Sequence, residues 1–124
     1  MIHLDTSFLI RALDSGSTED RSLRGWIRDG ETLGMSTVAW TEFMCGPLAQ
    51  SEMESAAEIV GLFREFTPDH ATIAARLFNE SGRRRGSLID CMIAAVAIAD
   101  GAPIATGNAA DFRRFEDAGL TMAG

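Results

Sequence analysis

MIHLDTSFLI, residues 1–10, is the stretch that decides the fold of this chain. Positions 2–4 form a short apolar run with strand character, and Asp5 ends it. Thr6 and Ser7 follow at once, and either is suited to cap the helix that the apolar residues after them indicate. The stretch therefore predicts a strand, an acidic turn and a helix. Asp5 would then lie at the carboxyl end of a strand, which is the edge where open parallel α/β sheets bind ligands. Asp5 is equally well explained as a helix cap.

The composition is that of one globular domain. The chain has 124 residues, of which 46% are hydrophobic, enough for a core and too many for a disordered chain. No apolar run approaches the ~20 residues that cross a bilayer, and the first residues lack the pattern of a signal peptide. Cys45 and Cys91 lie in apolar helical stretches without metal-ligand spacing, so we expect reduced core residues in a cytoplasmic protein.

The charge is acidic, with a net value of −7, which disfavours a nucleic-acid partner at first sight. All eleven basic residues are nevertheless arginine. The absence of lysine excludes a P-loop lysine, a Schiff-base lysine and lysine-assisted aspartyl-phosphate chemistry. Arginine suits bidentate contacts with phosphate, and a compositional preference for arginine is the plainer alternative.

Apolar runs with strand character alternate with helical patterns along the whole chain. After the first strand, further strands are predicted at positions 32–36, 66–67, 103–106 and 120–122. Short strands separated by helices predict a three-layer α/β/α sandwich with a short, mainly parallel sheet of four to five strands. No linker or repeat interrupts this alternation, so we expect a single domain over residues 1–124.

Two of the predicted helices begin with a capping-box pattern, and a third is unusually apolar. Ser17 with Asp20 predicts a helix to about position 28, and Ser51 with Glu54 predicts one to about position 66. The stretch 88–100 leaves almost no polar face, so we expect it to be buried against the sheet.

Three further acidic residues stand out beside Asp5. Glu42 lies inside a largely apolar helical stretch, which is unusual unless a carboxylate is paired, bound to metal or on an exposed stripe. Asp90 and Asp111 each follow a capping residue by three positions, at Ser87 and Asn108, so both also fit ordinary helix starts.

If these acids meet at one edge of the sheet, they form a site for a hard divalent cation such as Mg²⁺ or Mn²⁺. Bound cations would relieve the repulsion among the carboxylates and join the acidic pocket to RNA phosphate. The arginine runs at 83–85 and 113–114 then have three open interpretations. They contact the RNA backbone, dock an acidic partner or lie in solvated loops.

Four segments in order resemble the four motifs of PIN-domain ribonucleases, most closely the VapC toxins of toxin–antitoxin pairs. The segments are MIHLDTSFLI, VAWTEFMCGPL, GSLIDCMIAAVAI and IATGNAADF. Each motif is short, but the four occur in family order, and the resemblance extends from position 1 to about 122.

By motif position, the resemblance implies an acidic quartet and a neighbouring hydroxyl group. Asp5 and Asp90 correspond to the metal ligands, and Glu42 corresponds to an acid that assists directly or through water. Asp111 completes the quartet, while Thr106 corresponds to a residue that orients a carboxylate or water. Asn108 matches a position that supports the metal shell without charge.

The resemblance also implies a function. It indicates a Mg²⁺- or Mn²⁺-dependent endoribonuclease that acts as the toxin of a type II toxin–antitoxin pair. Its partners would be RNA, a cognate antitoxin and a second copy of the chain, with no membrane. The alternatives are a PIN nuclease of RNA processing without an antitoxin, and a non-catalytic α/β binding module whose acids are helix caps and solvated charges. No motif encodes which RNA is cleaved, because single-stranded RNA is recognised through shape and stacking.

Overall fold

The computed structural model describes every residue from Met1 to Gly124, and a four-stranded parallel sheet lies at its centre. The chain builds outward from the first strand through the second to the third, then returns to place the fourth on the other side of the first. In spatial order the strands are β3 (Leu62–Arg64), β2 (Leu33–Ser36), β1 (Ile2–Leu4) and β4 (Ile104–Ala105). This reversal creates a crevice at the carboxyl ends of β1 and β4, where α/β folds bind ligands.

Seven α-helices and one 3₁₀ helix surround the sheet. All residues of β1, β2 and β4 are buried, so helices cover both faces of the sheet, and the predicted three-layer α/β/α sandwich is confirmed. None of the helices combines the length and the apolarity that a bilayer crossing requires. The helices are α1 (Thr6–Ala12), α2 (Thr18–Arg28), α3 (Thr37–Met44), α4 (Gln50–Ile59), α5 (Pro68–Glu80), α6 (Leu88–Ala99) and α7 (Ala109–Phe112), followed by the 3₁₀ helix Arg113–Ala118.

Helix α6 is the apolar helix that the sequence predicted, and its centre is buried as expected. Cys91 and all residues of the range 93–97 belong to the buried set, while Leu88 and Ile89 at its start are exposed. Burying an aliphatic side chain of the size of Ile93 or Val96 contributes about 1.5–3 kcal/mol to the free energy of unfolding, so α6 is a principal source of stability. The prediction for the thiols is half right, because Cys91 is buried but Cys45 is exposed, and neither forms a disulfide.

The predicted boundaries between positions 50 and 67 are wrong. Helix α4 ends at Ile59, and the third strand is 62–64 rather than 66–67. An apolar run such as 59–63 suits either a helix or a strand, and pairing with the sheet decides it: the Gly61 amide donates to the Leu33 carbonyl at 2.9 Å.

Hydrogen bonds correct two further predictions, one for the start of α4 and one for the last strand. The start of α4 is fixed by Glu52, whose carboxylate accepts from the Ala49 amide at 3.0 Å, and not by a Ser51–Glu54 capping box. At the other end of the chain, the predicted fifth strand is reduced to one parallel bridge between Ile104 and Met122. The capping interaction of Ser17 is confirmed, because its hydroxyl accepts from the Asp20 amide at 3.0 Å.

A buried polar cluster joins β1, β3 and the end of α6. Asp100 Oδ2 lies 2.7 Å from His3 Nε2, and the same oxygen accepts from Arg64 Nε at 3.0 Å. Burial alone would raise the pKa of Asp100, but the hydrogen bonds from His3 and Arg64 outweigh it and hold the pKa below its ordinary value. Gly34 leaves room here, because a Cβ at that position would lie 3.2 Å from Met1 Sδ and 3.7 Å from His3 Nε2. We therefore regard this cluster as structural.

Candidate active site at the carboxyl edge of the sheet

Asp5 lies directly after β1 at the crevice, and its side chain is only 4% exposed. Its backbone amide donates to the Ala105 carbonyl at 2.9 Å, which ties the end of β1 to the end of β4. Asp5 is at the N-cap position of α1, yet its carboxylate makes no capping hydrogen bond. The helix-cap explanation of this acid is therefore wrong.

The Asp5 carboxylate is held by two hydroxyl groups. Ser7 Oγ and Thr106 Oγ1 each donate to Asp5 Oδ2 at 2.8 Å. The other oxygen, Oδ1, accepts no hydrogen bond and is not among the buried unpaired atoms, so it faces solvent. The prediction that Thr6 or Ser7 caps α1 is wrong as well, because Thr6 Oγ1 instead donates to the Ala39 carbonyl at 2.9 Å.

The loop that supplies Thr106 is fixed to α1. The Gly107 amide donates to Ser7 Oγ at 3.0 Å, and Arg11 Nη1 donates to the Gly107 carbonyl at 2.9 Å. Thr106 Oγ1 also accepts from the Asn108 amide at 3.0 Å. A Cβ at position 107 would lie 2.6 Å from Arg11 Nη1, so any larger residue there would displace the Arg11 side chain from its present position. These contacts hold the Thr106 hydroxyl in place before any ligand binds.

Asp90 lies in the first turn of α6, where no capping pair forms. Ser87 occupies the N-cap position, but its hydroxyl donates to the Arg84 carbonyl at 2.7 Å. Burial and the negative charges of Asp5, Asp111 and Glu42 together raise the pKa of Asp90 to about 6, against the opposing charge of Arg114. The three acids of the other motifs therefore all act electrostatically on Asp90.

The remaining two acids approach the site from different sides. Asp111, in α7, lines with Asp90 a cavity of about 110 Å³ that has no hydrophobic wall residue. Asn108 makes no capping hydrogen bond through its side chain, so the cap explanation of Asp111 also fails. Glu42 is exposed on α3, and its effect on the pKa of Asp90 is the smallest of the three acids. Glu42 is thus at the rim of the site.

The donor set suits a hard divalent cation, although the protein does not contain three or more potential ligands already arranged around one point. Mg²⁺ is commonly held through one or two carboxylates and keeps several of its waters. Asp5 offers a free carboxylate oxygen, and Asp90 is a second, half-buried acid that interacts with it. The positive charge of a bound cation would lower the raised pKa of Asp90. The residues present therefore fit such an ion.

Two residues of the site have roles that the sequence did not reveal. Ser7 supports Asp5 instead of capping a helix. The only local signal for this role was a hydroxyl side chain two positions after the acid. Arg114 lies with Nη2 3.7 Å from Asp90 Oδ2, and its guanidinium carbon is 4.6 Å from the ring centre of Phe115. Nothing in the sequence distinguishes Arg114 from its neighbour Arg113.

Comparison with known proteins agrees with this arrangement. A sequence model of the PIN domain matches residues 2–118. The chain belongs to the PIN-domain family. The family resemblance of the four motifs is thereby confirmed, while no curated protein sequence matches this PIN domain.

Solved structures with the same fold include several toxin–antitoxin proteins. VapBC2 from Rickettsia felis, bound to a promoter DNA fragment, matches with 19% identity over 99% of this chain and 98% of that one, at a TM-score of 0.73. FitAcB from Neisseria gonorrhoeae matches with 21% identity over 100% of this chain and 97% of that one, at a TM-score of 0.72. VapC20 from Mycobacterium tuberculosis, a sarcin–ricin loop cleaving toxin, matches with 18% identity over 99% of this chain and 98% of that one, at a TM-score of 0.69. At these identities the likeness establishes the fold of this PIN domain.

Proposed function

We propose that this PIN domain is a Mg²⁺- or Mn²⁺-dependent endoribonuclease that acts as the toxin of a type II toxin–antitoxin pair. The observation that supports it most is the meeting of Asp5, Asp90, Asp111 and Glu42 at the carboxyl edge of the sheet, where Asp5 keeps one oxygen free. VapC20, which shares the fold, is a toxin that cleaves the sarcin–ricin loop. For Asp5, Asp90 and Asp111, the interpretation as helix caps, which is one part of the binding-module alternative, lacks the necessary hydrogen bonds.

Asp5 and Asp90 are the residues that would hold the cation. When bound, the ion supplies a Lewis acid for the phosphodiester and lowers the pKa of a water molecule. Thr106 and Ser7 fix Asp5 Oδ2, so that the free Oδ1 keeps one direction. Asp111, which lines the same cavity as Asp90, and Glu42 at the rim of the site would assist by accepting hydrogen bonds from water.

The proposed partners are RNA, an antitoxin and a second copy of the chain in the cytoplasm. VapBC2, which shares the fold, was solved bound to a fragment of promoter DNA, and a toxin–antitoxin complex from Klebsiella pneumoniae shares the fold as well. Six large apolar side chains are exposed and would be available for contacts between protein chains. These are Ile10, Ile27, Met44, Phe63, Leu88 and Ile89.

The test is Asp5→Asn, with Asp14→Asn as the matched control. Asp14 is an exposed acid whose side chain makes no hydrogen bond, so the same chemical change there leaves the site intact. RNA cleavage in Mg²⁺ or Mn²⁺ is expected to fall more than about 100-fold in Asp5→Asn, because a ligand is lost, and to be unchanged in the control. Equal activity of the two variants would reject the assignment of Asp5.

A thermal-shift titration with Mn²⁺ separates a nuclease from a binding module. A ligand that binds only the native state raises the melting temperature. We expect Mn²⁺ to raise the melting temperature of the wild type and of Asp14→Asn, and to have little effect on Asp5→Asn. A wild type that does not respond to Mn²⁺ would favour the non-catalytic module.

A further inference from the structure

Arg114 is the one residue whose buried polar atoms are left without a partner. Its Nε and Nη2 atoms are inaccessible to solvent and make no hydrogen bond, and no other buried side-chain nitrogen or oxygen is in this state. Asp90 does not satisfy them, since its Oδ2 lies 3.7 Å from Nη2, beyond hydrogen-bonding distance. Buried donors are normally paired, so an unpaired guanidinium beside a cavity indicates a missing acceptor.

The cavity next to Arg114 collects two more arginines. Arg84 and Arg85 line the same space of about 110 Å³, opposite Asp90 and Asp111, and no hydrophobic residue contributes to it. The neighbouring arginines of both runs, Arg83 and Arg113, do not line the cavity. Three of the five arginines in the two runs therefore line this one cavity.

The loop that carries Arg84 and Arg85 is anchored from the start of α6. The Ser87 hydroxyl and the Ser87 amide both donate to the Arg84 carbonyl, at 2.7 Å and 3.1 Å. Ser87 is itself buried. The backbone beneath the two exposed arginines is thus held against the element that carries Asp90.

The ligand must present several anionic oxygens and little apolar surface. Guanidinium groups form paired hydrogen bonds with phosphate oxygens. An acidic peptide would bring the aliphatic carbon atoms of its side chains into a space that has no apolar wall. The cavity also shares Asp90 and Asp111 with the acidic site, so a ligand that occupies both needs anionic groups at short, regular intervals, which an RNA backbone provides.

We propose that Arg84, Arg85 and Arg114 form a subsite for an RNA backbone phosphate adjacent to the phosphate that is cleaved. This subsite rests on the proposed nuclease function and adds to it a binding role for three residues. It holds the strand through its backbone and does not contact the reacting atoms, so its contribution is to substrate affinity.

The first test uses inorganic phosphate as the probe. Phosphate is added at a few millimolar in the presence of Mg²⁺, at an ionic strength kept constant with chloride, and the melting temperature is measured. We expect an increase of about 3 °C for the wild type and for Arg113→Ala. The increase should fall below about 1 °C for Arg114→Met and for the double variant Arg84→Ala/Arg85→Ala.

The two sets of variants protect the test against misfolding. Arg84 and Arg85 are exposed, so their removal does not disturb the core even if Arg114→Met lowers stability. Arg113 is an exposed arginine adjacent to Arg114 and outside the cavity, and it controls for loss of charge alone. General stabilisation by phosphate would shift all variants equally, and such a result would overturn the subsite, as would no shift in the wild type.

RNA kinetics distinguish the subsite from the nuclease itself. Loss of binding that is equal in the ground state and the transition state raises KM and leaves kcat nearly unchanged. For Arg84→Ala/Arg85→Ala we expect KM for a short single-stranded RNA to rise about 10-fold, with Arg113→Ala at the wild-type value. Wild-type KM in the double variant would remove the subsite and leave the nuclease, whereas a wild type without RNA cleavage would remove the nuclease.

The same variants also test an acidic protein partner. A double variant that keeps its phosphate shift and its KM but is no longer inhibited by the antitoxin would assign these arginines to protein binding and overturn the RNA subsite. We expect instead that inhibition by the antitoxin is retained.

Discussion

Two aspartates at opposite ends of α6 have opposite electrostatic environments. Asp100, directly after the helix, is bound by His3 and Arg64, and its pKa is lowered. Asp90, in the first turn, has no hydrogen-bonding partner, and its pKa is raised to about 6 by burial and by three other acids. The residue type and the helix are the same, so the difference comes entirely from the neighbours that the fold supplies.

This difference separates a structural charge from a functional one. At Asp100 the fold provides partners that compensate for burial, so the ionised carboxylate stabilises the protein. At Asp90 the ionised form is disfavoured in the absence of a cation, and a perturbed acid in a cleft is typical of functional sites. Stability and site chemistry are therefore assigned to different ends of one helix, and each end can be changed separately.

The largest expected effect is the loss of the Asp100 cluster. Asp100→Ala leaves the buried His3 and the Arg64 guanidinium without their common acceptor, so the free energy of unfolding should fall by about 3 kcal/mol. Urea denaturation measures it, with the exposed Asp29→Ala as control. The shift of the melting temperature by Mn²⁺ should be retained, and a loss below about 0.5 kcal/mol would contradict the structural role.

The support of Asp5 is expected to have the next largest effect. Thr106→Val removes one of the two hydroxyl groups that hold Oδ2, so Mn²⁺ affinity should fall about 10- to 100-fold. Thr106→Ser keeps the hydroxyl and is the matched control. Isothermal titration with Mn²⁺ gives the comparison, and equal affinities of the valine and serine variants would show that the hydroxyl does not position the ligand.

Asp90→Asn should stabilise the protein while damaging its site. At pH 7 without metal, removal of the unfavourable charge should raise the free energy of unfolding by about 1–2 kcal/mol, after allowance for solvent screening of a side chain that is 30% exposed. In the same variant, Mn²⁺ should no longer raise the melting temperature. Destabilisation of the metal-free variant would mean that the contact with Arg114 outweighs the repulsion.

The smallest expected effect is the pH dependence of the gain in the free energy of unfolding that Asp90→Asn brings. The pKa of Asp90 in the folded protein, about 6, exceeds its ordinary value of 3.8, so ionisation costs stability as pH rises between these values. The advantage of Asp90→Asn should be complete above pH 6, about half as large at pH 5 and absent below pH 3.8. Urea denaturation of both proteins across this range tests it, and a pH-independent difference would exclude ionisation of Asp90 as the cause.

Much of the fold was predictable because local patterns and pairing agreed. Strand β1 and the buried centre of α6 followed from apolar periodicity, and the positions of the four acids followed from motif order. The stretch 59–67 failed because its apolar residues fit a helix as well as a strand, and only the pairing of Gly34 with Leu62 in the sheet decides it.

The contacts within the candidate site could not be predicted from the sequence. Ser87 and Asn108 had the spacing of capping residues, yet Ser87 donates to a loop carbonyl and Asn108 makes no side-chain cap bond. The clusters of His3 with Asp100 and of Thr106 with Asp5 join positions 97 and 101 residues apart. No local pattern reports such contacts, since each partner is chosen by the topology of the sheet.

The hydrogen bond from Thr106 to Asp5 also sets the order in which the molecule can assemble during synthesis. Asp5 precedes Thr106, its second hydroxyl partner, by 101 positions in the chain. Strand β4, which pairs with β1, comes immediately before Thr106. A nascent chain that includes Asp90 but stops short of Thr106 contains Asp5, Glu42 and Asp90 without the loop that fixes the first of them. The site is thus completed only after the first three strands of the sheet have been synthesised.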